Sequence, residues 1–337
     1  MSAIRNDKVL GSSHILQQDK IIPQREISAK HTFHENDHAF YSTWESTVQK
    51  REPPKGLPNI GNTCYANSLL QVLGQTPFLN EKLVSCIDHS LKRFDYQTKT
   101  TVTSAFRNLL RSMNSLTFDP ILAAGMISAL MNKVSSREHE FRIGFQNDCH
   151  SFFLALLSEI YDENQAKEAT RIFEIEMVDE FYFDSCVHNV EGGLDSLLNE
   201  EEFDEADVPC RKCGSGGKGK TRKAMAFRIL PKVLVIQLGC FQEKSYGGHL
   251  HIAKSLRRIG FAEKLRVPKS NGSSVTYHLY GVVNHHGSIH GGHYTSFVKN
   301  LSPNTEHWYY CNDSNVTHST LTEALKSRDA YLLFFKM

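Results

Sequence analysis

Residues 56–73 read GLPNIGNTCYANSLLQVL, and the rest of the chain is read outward from this stretch. Pro58 and Gly61 open a turn, and Asn62 and Thr63 are residues of the type that cap helices. Leu69, Leu70, Val72 and Leu73 then continue at helical spacing. The pattern predicts a loop that delivers Cys64 to the first turn of a helix. Peptide dipoles leave partial positive charge at that end, which favours thiolate over thiol. Cys64 therefore has two readings: an activated nucleophile, or a small buried hydrophobe, the common fate of a free cysteine.

A partner for a nucleophile lies more than 200 residues later. Residues 277–299 read YHLYGVVNHHGSIHGGHYTSFVK. Tyr277 to Val283 and Tyr294 to Val298 are strand-like, and Gly287 to Gly292 reads as a flexible Gly-rich connection. His293 opens the second strand. Residues 307–316, HWYYCNDSNV, form another short strand running into Asn312 and Asp313. A cysteine protease needs a thiol, an imidazole that takes and returns its proton, and a polar group that holds the imidazole's tautomer. Cys64, His293 and Asn312 or Asp313 supply that set in the chain order of papain-like enzymes.

These segments resemble the Cys box and His box of the ubiquitin-specific proteases, which are papain-like deubiquitinases. GLPNIGNTCYANSLLQVL matches the Cys box along nearly its whole length. VVNHHGSIHGGHYTSFVK, the later WYYCND and the closing AYLLFFK match the His box in order and spacing. Between them GFQNDCHSFFLALL is similar to the family's QQDAxEFLxxLL segment, and ILPKVLVIQLGCF to its LPxVLxIxLxRF strand. The resemblance covers about residues 56–337 and implies an α+β catalytic domain of thumb, palm and fingers. The family's oxyanion position falls on Asn59 and its third catalytic position on Asn312, with Asp313 beside it. Its tail-binding aspartate falls on Asp148, in the QND segment with Gln146. Gly291 and Gly292 imply a narrow cleft suited to a glycine–glycine tail.

Composition sets outer bounds. The chain has 337 residues, enough for one large or two ordinary domains with a sizeable core. Lys+Arg number 38 against 37 Asp+Glu, a balance that argues against nucleic-acid binding driven by a basic field. Eight scattered cysteines and no visible signal peptide point to a reducing compartment, cytosol or nucleus. The most apolar run, Ile229 to Phe241, is too short and interrupted to span a membrane. Residues 1–55 are polar and aperiodic and read as a disordered extension ending in a linker. The alternative is a docking motif for an unknown protein, anchored on Phe33, Phe40, Tyr41 and Trp44.

Residues 64–162 read as helices. Leu79, Leu83, Val84, Ile87 and Leu91 form one apolar stripe, and Val102, Phe106, Leu109, Leu110 and Met113 a second. Asp119-Pro120 is a helix start, and Asp148 to Tyr161 a further helix. After about residue 170 the period changes to two, over 172–183, 227–238, 275–283, 293–299, 307–311 and 330–336. Helices first and strands later make an α+β fold.

The middle departs from the family. One CxxC pair, Cys210 and Cys213, is half of a tetrahedral zinc site, and the nearest substitutes for the missing pair are Cys186 and His188. The expectation is a decayed ribbon with reduced fingers and no zinc. Gly214 to Lys223 and the acidic Glu200 to Glu205 read as solvated loops. His286, His290 and His293 lack metal-ligand spacing, and His285 reads as structural. Ser151 stands where the family has a glutamate, and Gly239-Cys240 where it has a basic pair.

The resemblance implies a thiol isopeptidase that cleaves after the C-terminal glycine of ubiquitin on conjugated proteins and needs no cofactor. Asp148, Gln146, Gly291 and Gly292 would hold the tail. Alternatives are a catalytically weak ubiquitin-binding scaffold, a protease for a ubiquitin-like modifier and, last, a zinc-binding interaction module.

Overall fold

The computed structural model describes residues 53–77, 79, 83, 101–135, 141–163, 189–198, 201–203, 221–223, 227, 230–239, 241–246, 249–254, 258–288, 291–301 and 307–337. Residues 1–52, the 172–183 alternation, and Cys186, His188, Cys210, Cys213 and His290 lie outside these. So do the tail anchors Phe33, Phe40, Tyr41 and Trp44, and the first-stripe residues Val84, Ile87 and Leu91.

The fold is α+β, helices first. Helices α1 (Cys64–Gln75), α2 (Val102–Met113), α3 (Pro120–Val134) and α4 (Cys149–Asp162) precede α5 (Val190–Leu198). The stripe on α2 is buried at Val102, Phe106, Leu109, Leu110 and Met113, as its spacing requires. Thr101 and Ser104 form a capping box at its start, and the Glu163 carboxylate accepts from the Val102 and Thr103 N–H groups at 2.6 and 2.9 Å. Asp119 caps α3 through the N–H groups of Ile121 and Leu122, with Pro120 in the first turn.

Two two-stranded ribbons follow α5: β1 (Glu201–Phe203) with β2 (Thr221–Lys223), and β4 (Phe241–Tyr246) with β5 (His249–Lys254). Glu201–Phe203 and Thr221–Lys223 are paired strands rather than the solvated loops expected of that stretch, because each finds a cross-strand partner that local charge does not announce.

The main sheet contains β3 (Val233–Gln237), β6 (Lys264–Pro268), β7 (Ser274–Ser288), β8 (Gly291–Lys299), β9 (Trp308–Asn312), β10 (Asn315–Ser319) and β11 (Ala330–Lys336). A short helix α6 (Leu321–Leu325) joins the last two strands. Its order is β10-β9-β8-β7-β11-β3, all antiparallel, with β6 pairing the first part of β7. The Gly287–Gly292 stretch is not a free connection: β7 runs to Ser288, β8 starts at Gly291, and Gly287 pairs with Gly292. Pairing overrides the low strand propensity of glycine here.

The centre of the sheet is covered on both faces. Tyr331, Leu332 and Phe334 pack into the core shared with α1 to α4, while Ala330, Leu333 and Phe335 enter a second core with α5 and α6. That explains why AYLLFFK is a continuous apolar run rather than an alternating one. Helix α1 is buried along its whole length and packs on β7 and β8. Gly281 makes that approach possible, since a Cβ there would stand 2.4 Å from Val72 Cγ1. Among the described residues no helix is long and apolar enough to cross a membrane.

Candidate active site

The loop before α1 is held from both sides. Leu57 N–H donates to the Asp313 carbonyl at 2.9 Å, and a Cβ on Gly56 would lie 2.1 Å from the Ser314 carbonyl oxygen, so only glycine fits there. Asn59 Oδ1 accepts from the N–H groups of Gly61 and Thr63, both at 3.1 Å, which closes the turn. Gly144 N–H donates to Gly61 O, and Asn62 Nδ2 donates to Gly144 O, each at 2.8 Å. Asn62 sits in the left-handed region with φ 56°.

Asn62 and Thr63 do not cap the helix with their side chains. Thr63 occupies the cap position, but its hydroxyl accepts from Ile60 N–H instead. The N–H groups at the start of α1 are thereby left without a side-chain cap, and the backbone N–H groups of Cys64, Tyr65 and, from β8, Tyr294 favour the Cys64 thiolate. These donors pull the thiol down. Burial pushes it up more strongly, the negative charge of Asp313 adds to that, and the net direction is upward. The dipole argument alone points the other way. It fails because Cys64 is only 5 % exposed and desolvation outweighs the partial charges.

His293 stands next to Tyr294 and is partly exposed. Its Nε2 donates to Asn312 Oδ1 at 2.7 Å, which leaves Nδ1 unprotonated in the neutral ring. Asp313 lies farther off, 4.0 Å from the same nitrogen. Its two oxygens are engaged elsewhere: Oδ2 accepts from Asn59 Nδ2 at 3.0 Å and Oδ1 from Asn67 Nδ2 at 2.8 Å. The two adjacent residues thus divide the work. Asn312 touches the imidazole, and Asp313, at φ 48°, ties the loop to α1.

A cleft of about 300 Å³ opens beside Cys64, lined among others by Asn62, Gln146, Asp148, Gly291 and Gly292. Asp148 caps α4 with Oδ1 on the Ser151 N–H at 2.8 Å. Its Oδ2 accepts the hydroxyls of Tyr331 at 2.6 Å and Tyr294 at 3.2 Å. Burial, reinforced by the Asp148 charge, holds both tyrosines protonated, well above their ordinary range. Gln146 reaches across the cleft to Gly292. A Cβ on Gly292 would come within 2.4 Å of both His285 Nε2 and the His286 carbonyl, so glycine is required there too. The His285 ring lies on Tyr294 with centroids 4.6 Å apart. His286 is engaged at both nitrogens, with Asp329 at 3.0 Å and Thr295 Oγ1 at 3.1 Å.

Three participants escape the linear reading: Asn67, Tyr294 and Tyr331. Asn67 alone left a signal, a polar residue one turn past Cys64 on a helix otherwise destined for the core.

The sequence profile of the ubiquitin carboxyl-terminal hydrolase family matches residues 55–335. The chain is 30% identical over 332 residues to ubiquitin carboxyl-terminal hydrolase 25 of Arabidopsis thaliana, covering 86% of this chain and 48% of that protein. It is 22% identical over 343 residues to human ubiquitin carboxyl-terminal hydrolase 2, with 84% and 55% covered. The chain spans about half the length of these relatives. Its fold is similar to that of a chain in the SAGA Ubp8/Sgf11/Sus1/Sgf73 DUB module bound to ubiquitin aldehyde. The TM-score is 0.69 at 21% identity, over 89% of this chain and 75% of that one.

Proposed function

Because this chain belongs to the ubiquitin carboxyl-terminal hydrolase family, we propose that it is a thiol isopeptidase that releases ubiquitin from lysine side chains of conjugated proteins. The observation that carries the proposal is the 2.7 Å bond from His293 Nε2 to Asn312, made by a strand that packs on the helix carrying Cys64. It fixes the tautomer a general base needs and leaves Nδ1 for the thiol proton.

In this reading Nδ1 takes the proton of Cys64. The thiolate attacks the carbonyl carbon of the C-terminal glycine, and the imidazolium returns the proton to the departing lysine amine. Water, deprotonated by His293, then opens the thioester and frees Cys64 with the glycine carboxylate. The Cys64 N–H and the Nδ2 group of Asn59 stabilise the oxyanion. Asn59 Nδ2 carries two hydrogens, so the bond to Asp313 orients it and leaves one for the substrate. Asp313 acts here as a positioning residue. Asp148, with Gly291 and Gly292, forms the channel for the extended tail. The upward shift of Cys64 suits an enzyme whose thiolate forms together with the His293 imidazolium once substrate excludes water.

A second reading, a protease for a ubiquitin-like modifier, is favoured by Ser151, which places no second carboxylate beside Asp148. Covalent labelling tests both. Ubiquitin carrying a C-terminal electrophile should form one adduct, seen by intact mass, on the wild-type chain and none on Cys64→Ala. Folded wild-type protein that takes no ubiquitin adduct but takes one from a ubiquitin-like probe would overturn the first reading in favour of the second.

A further inference from the structure

The outer edge of β8 changes partner along its length. At Ser296 it meets β9, opposite Cys311. Two residues back, the strand passes the helix that carries Cys64, and the Tyr294 N–H favours the Cys64 thiolate. Two residues further back, the backbone groups of Gly292 that face away from β7 meet the side chain of Gln146. Backbone groups two apart in a strand face the same way, so these three positions form one continuous edge. The edge begins at a paired strand, passes the nucleophile and ends at Gly292.

Gln146 meets that end with its whole carboxamide. Its Oε1 accepts the Gly292 N–H at 3.1 Å, and its Nε2 donates to the Gly292 carbonyl at 3.3 Å. These are the two backbone groups that Gly292 offers to a neighbouring strand on this edge. The Gln146 side chain also lies over Gly291, where an added Cβ would be 3.2 Å from Oε1. The two ends of the contact come from different walls of the cleft, the segment leading into α4 and the β7–β8 hairpin.

Building on the proposed isopeptidase reading, we propose that Gln146 is a latch whose carboxamide occupies the edge of β8 that an extended substrate tail would take. An extended tail whose terminal carbonyl sits on Cys64 and which runs along this edge passes Gly292 before it reaches Tyr294, so it lies parallel to β8, where the two backbone groups of one residue bond to different peptide units of the partner. The two successive peptide units of the tail that flank this position need the Gly292 N–H and carbonyl that Gln146 holds, so Gln146 must swing out before the tail seats. The ligand that displaces it is a main chain without bulky side chains, because His285 and the His286 carbonyl close the space on the other side of Gly292. The latch imposes a toll on every substrate and is released only by an extended peptide that replaces both bonds. A weakly populated open state lowers apparent affinity by the fraction open.

Gln146→Ala tests this with the folded full chain, since Gln146 is exposed and makes these bonds outside the core. Two measurements are needed: the second-order rate of labelling by ubiquitin carrying a C-terminal electrophile, and hydrogen exchange at the Gly292 amide of the free protein. The latch predicts labelling about three- to tenfold faster in the variant, since each exposed bond contributes little, together with faster Gly292 exchange. Slower or unchanged labelling would overturn it and make Gln146 a substrate contact or a bystander. If neither protein takes the ubiquitin probe while iodoacetamide still alkylates Cys64 in both, the ubiquitin reading fails. The latch is then decided by exchange alone: faster exchange at Gly292 supports it, and unchanged exchange rejects it.

Discussion

Asn312 and Asp313 are neighbours with different tasks. Removing the group that touches His293 frees the imidazole to rotate and to take the other tautomer, so Asn312→Ala should lower kcat by about 10²- to 10⁴-fold in a fluorogenic ubiquitin assay. Asp313→Ala releases Asn59 and Asn67 together and should lower kcat by about 10²- to 10³-fold, the usual effect of losing one oxyanion donor. Charge separates the two residues in a further way. Asp313 raises the Cys64 thiol, whereas Asn312 carries no charge. Alkylation of Cys64 by iodoacetamide should therefore reach half its maximal rate at a higher pH than for an unperturbed thiol, and Asp313→Asn should move that midpoint down. A midpoint that stays put would remove the charge from the explanation.

At the scale of elements, the site depends on how closely α1 is held against β7 and β8. Gly281→Ala places a methyl group 2.4 Å from a Val72 carbon, and overpacking of this kind typically costs about 1–3 kcal/mol. Urea unfolding should show that loss, with activity falling as Cys64 is pushed away from Tyr294. Asp119→Ala on α3 is the control far from the cleft. It removes a helix cap worth about 1 kcal/mol and should leave kcat/KM of the folded protein near wild type. Gly292 is the opposite case, because a methyl group there meets His285 inside the cleft. Gly292→Ala should lower kcat/KM by more than it lowers stability.

For the whole molecule, the helical layer and the sheet enclose ionisable groups that stay neutral. Burial pushes the Cys311 thiol from 9.0 up to about 12 and the Tyr65 hydroxyl from 10.0 up to about 12. A raised folded-state pKa means that the folded protein holds its proton more tightly than the unfolded chain does. The stability this gives is present in full below about pH 9 and is lost as the pH rises towards about 12. Urea midpoints measured from pH 8 to 11 should fall steadily, and replacing Cys311 by Val should flatten the slope. A flat profile in the wild-type chain would show that these groups titrate as they do in water.

Much of this protein is written in local pattern. Apolar spacing and the Asp119-Pro120 signal specify α2 and α3, and the change to period two specifies the later sheet, because helix and strand sidedness are local properties. The motifs around Cys64 and His293 mark the family for the same reason: close backbone approaches at Gly56 and Gly292 demand particular residues at fixed positions. Tertiary structure decided what depends on residues far apart in sequence. The choice of Asn312 over Asp313 beside His293 follows from which side chain the turn after β9 aims at the ring. The direction of the Cys64 shift required knowing how deeply the sulfur lies and that Asp313 stands near it. The same holds for Asp148, bound to tyrosines 146 and 183 residues away, and for Gln146 across the cleft on Gly292. Burial and long-range pairing are sums over the packed molecule, and no window of sequence contains them.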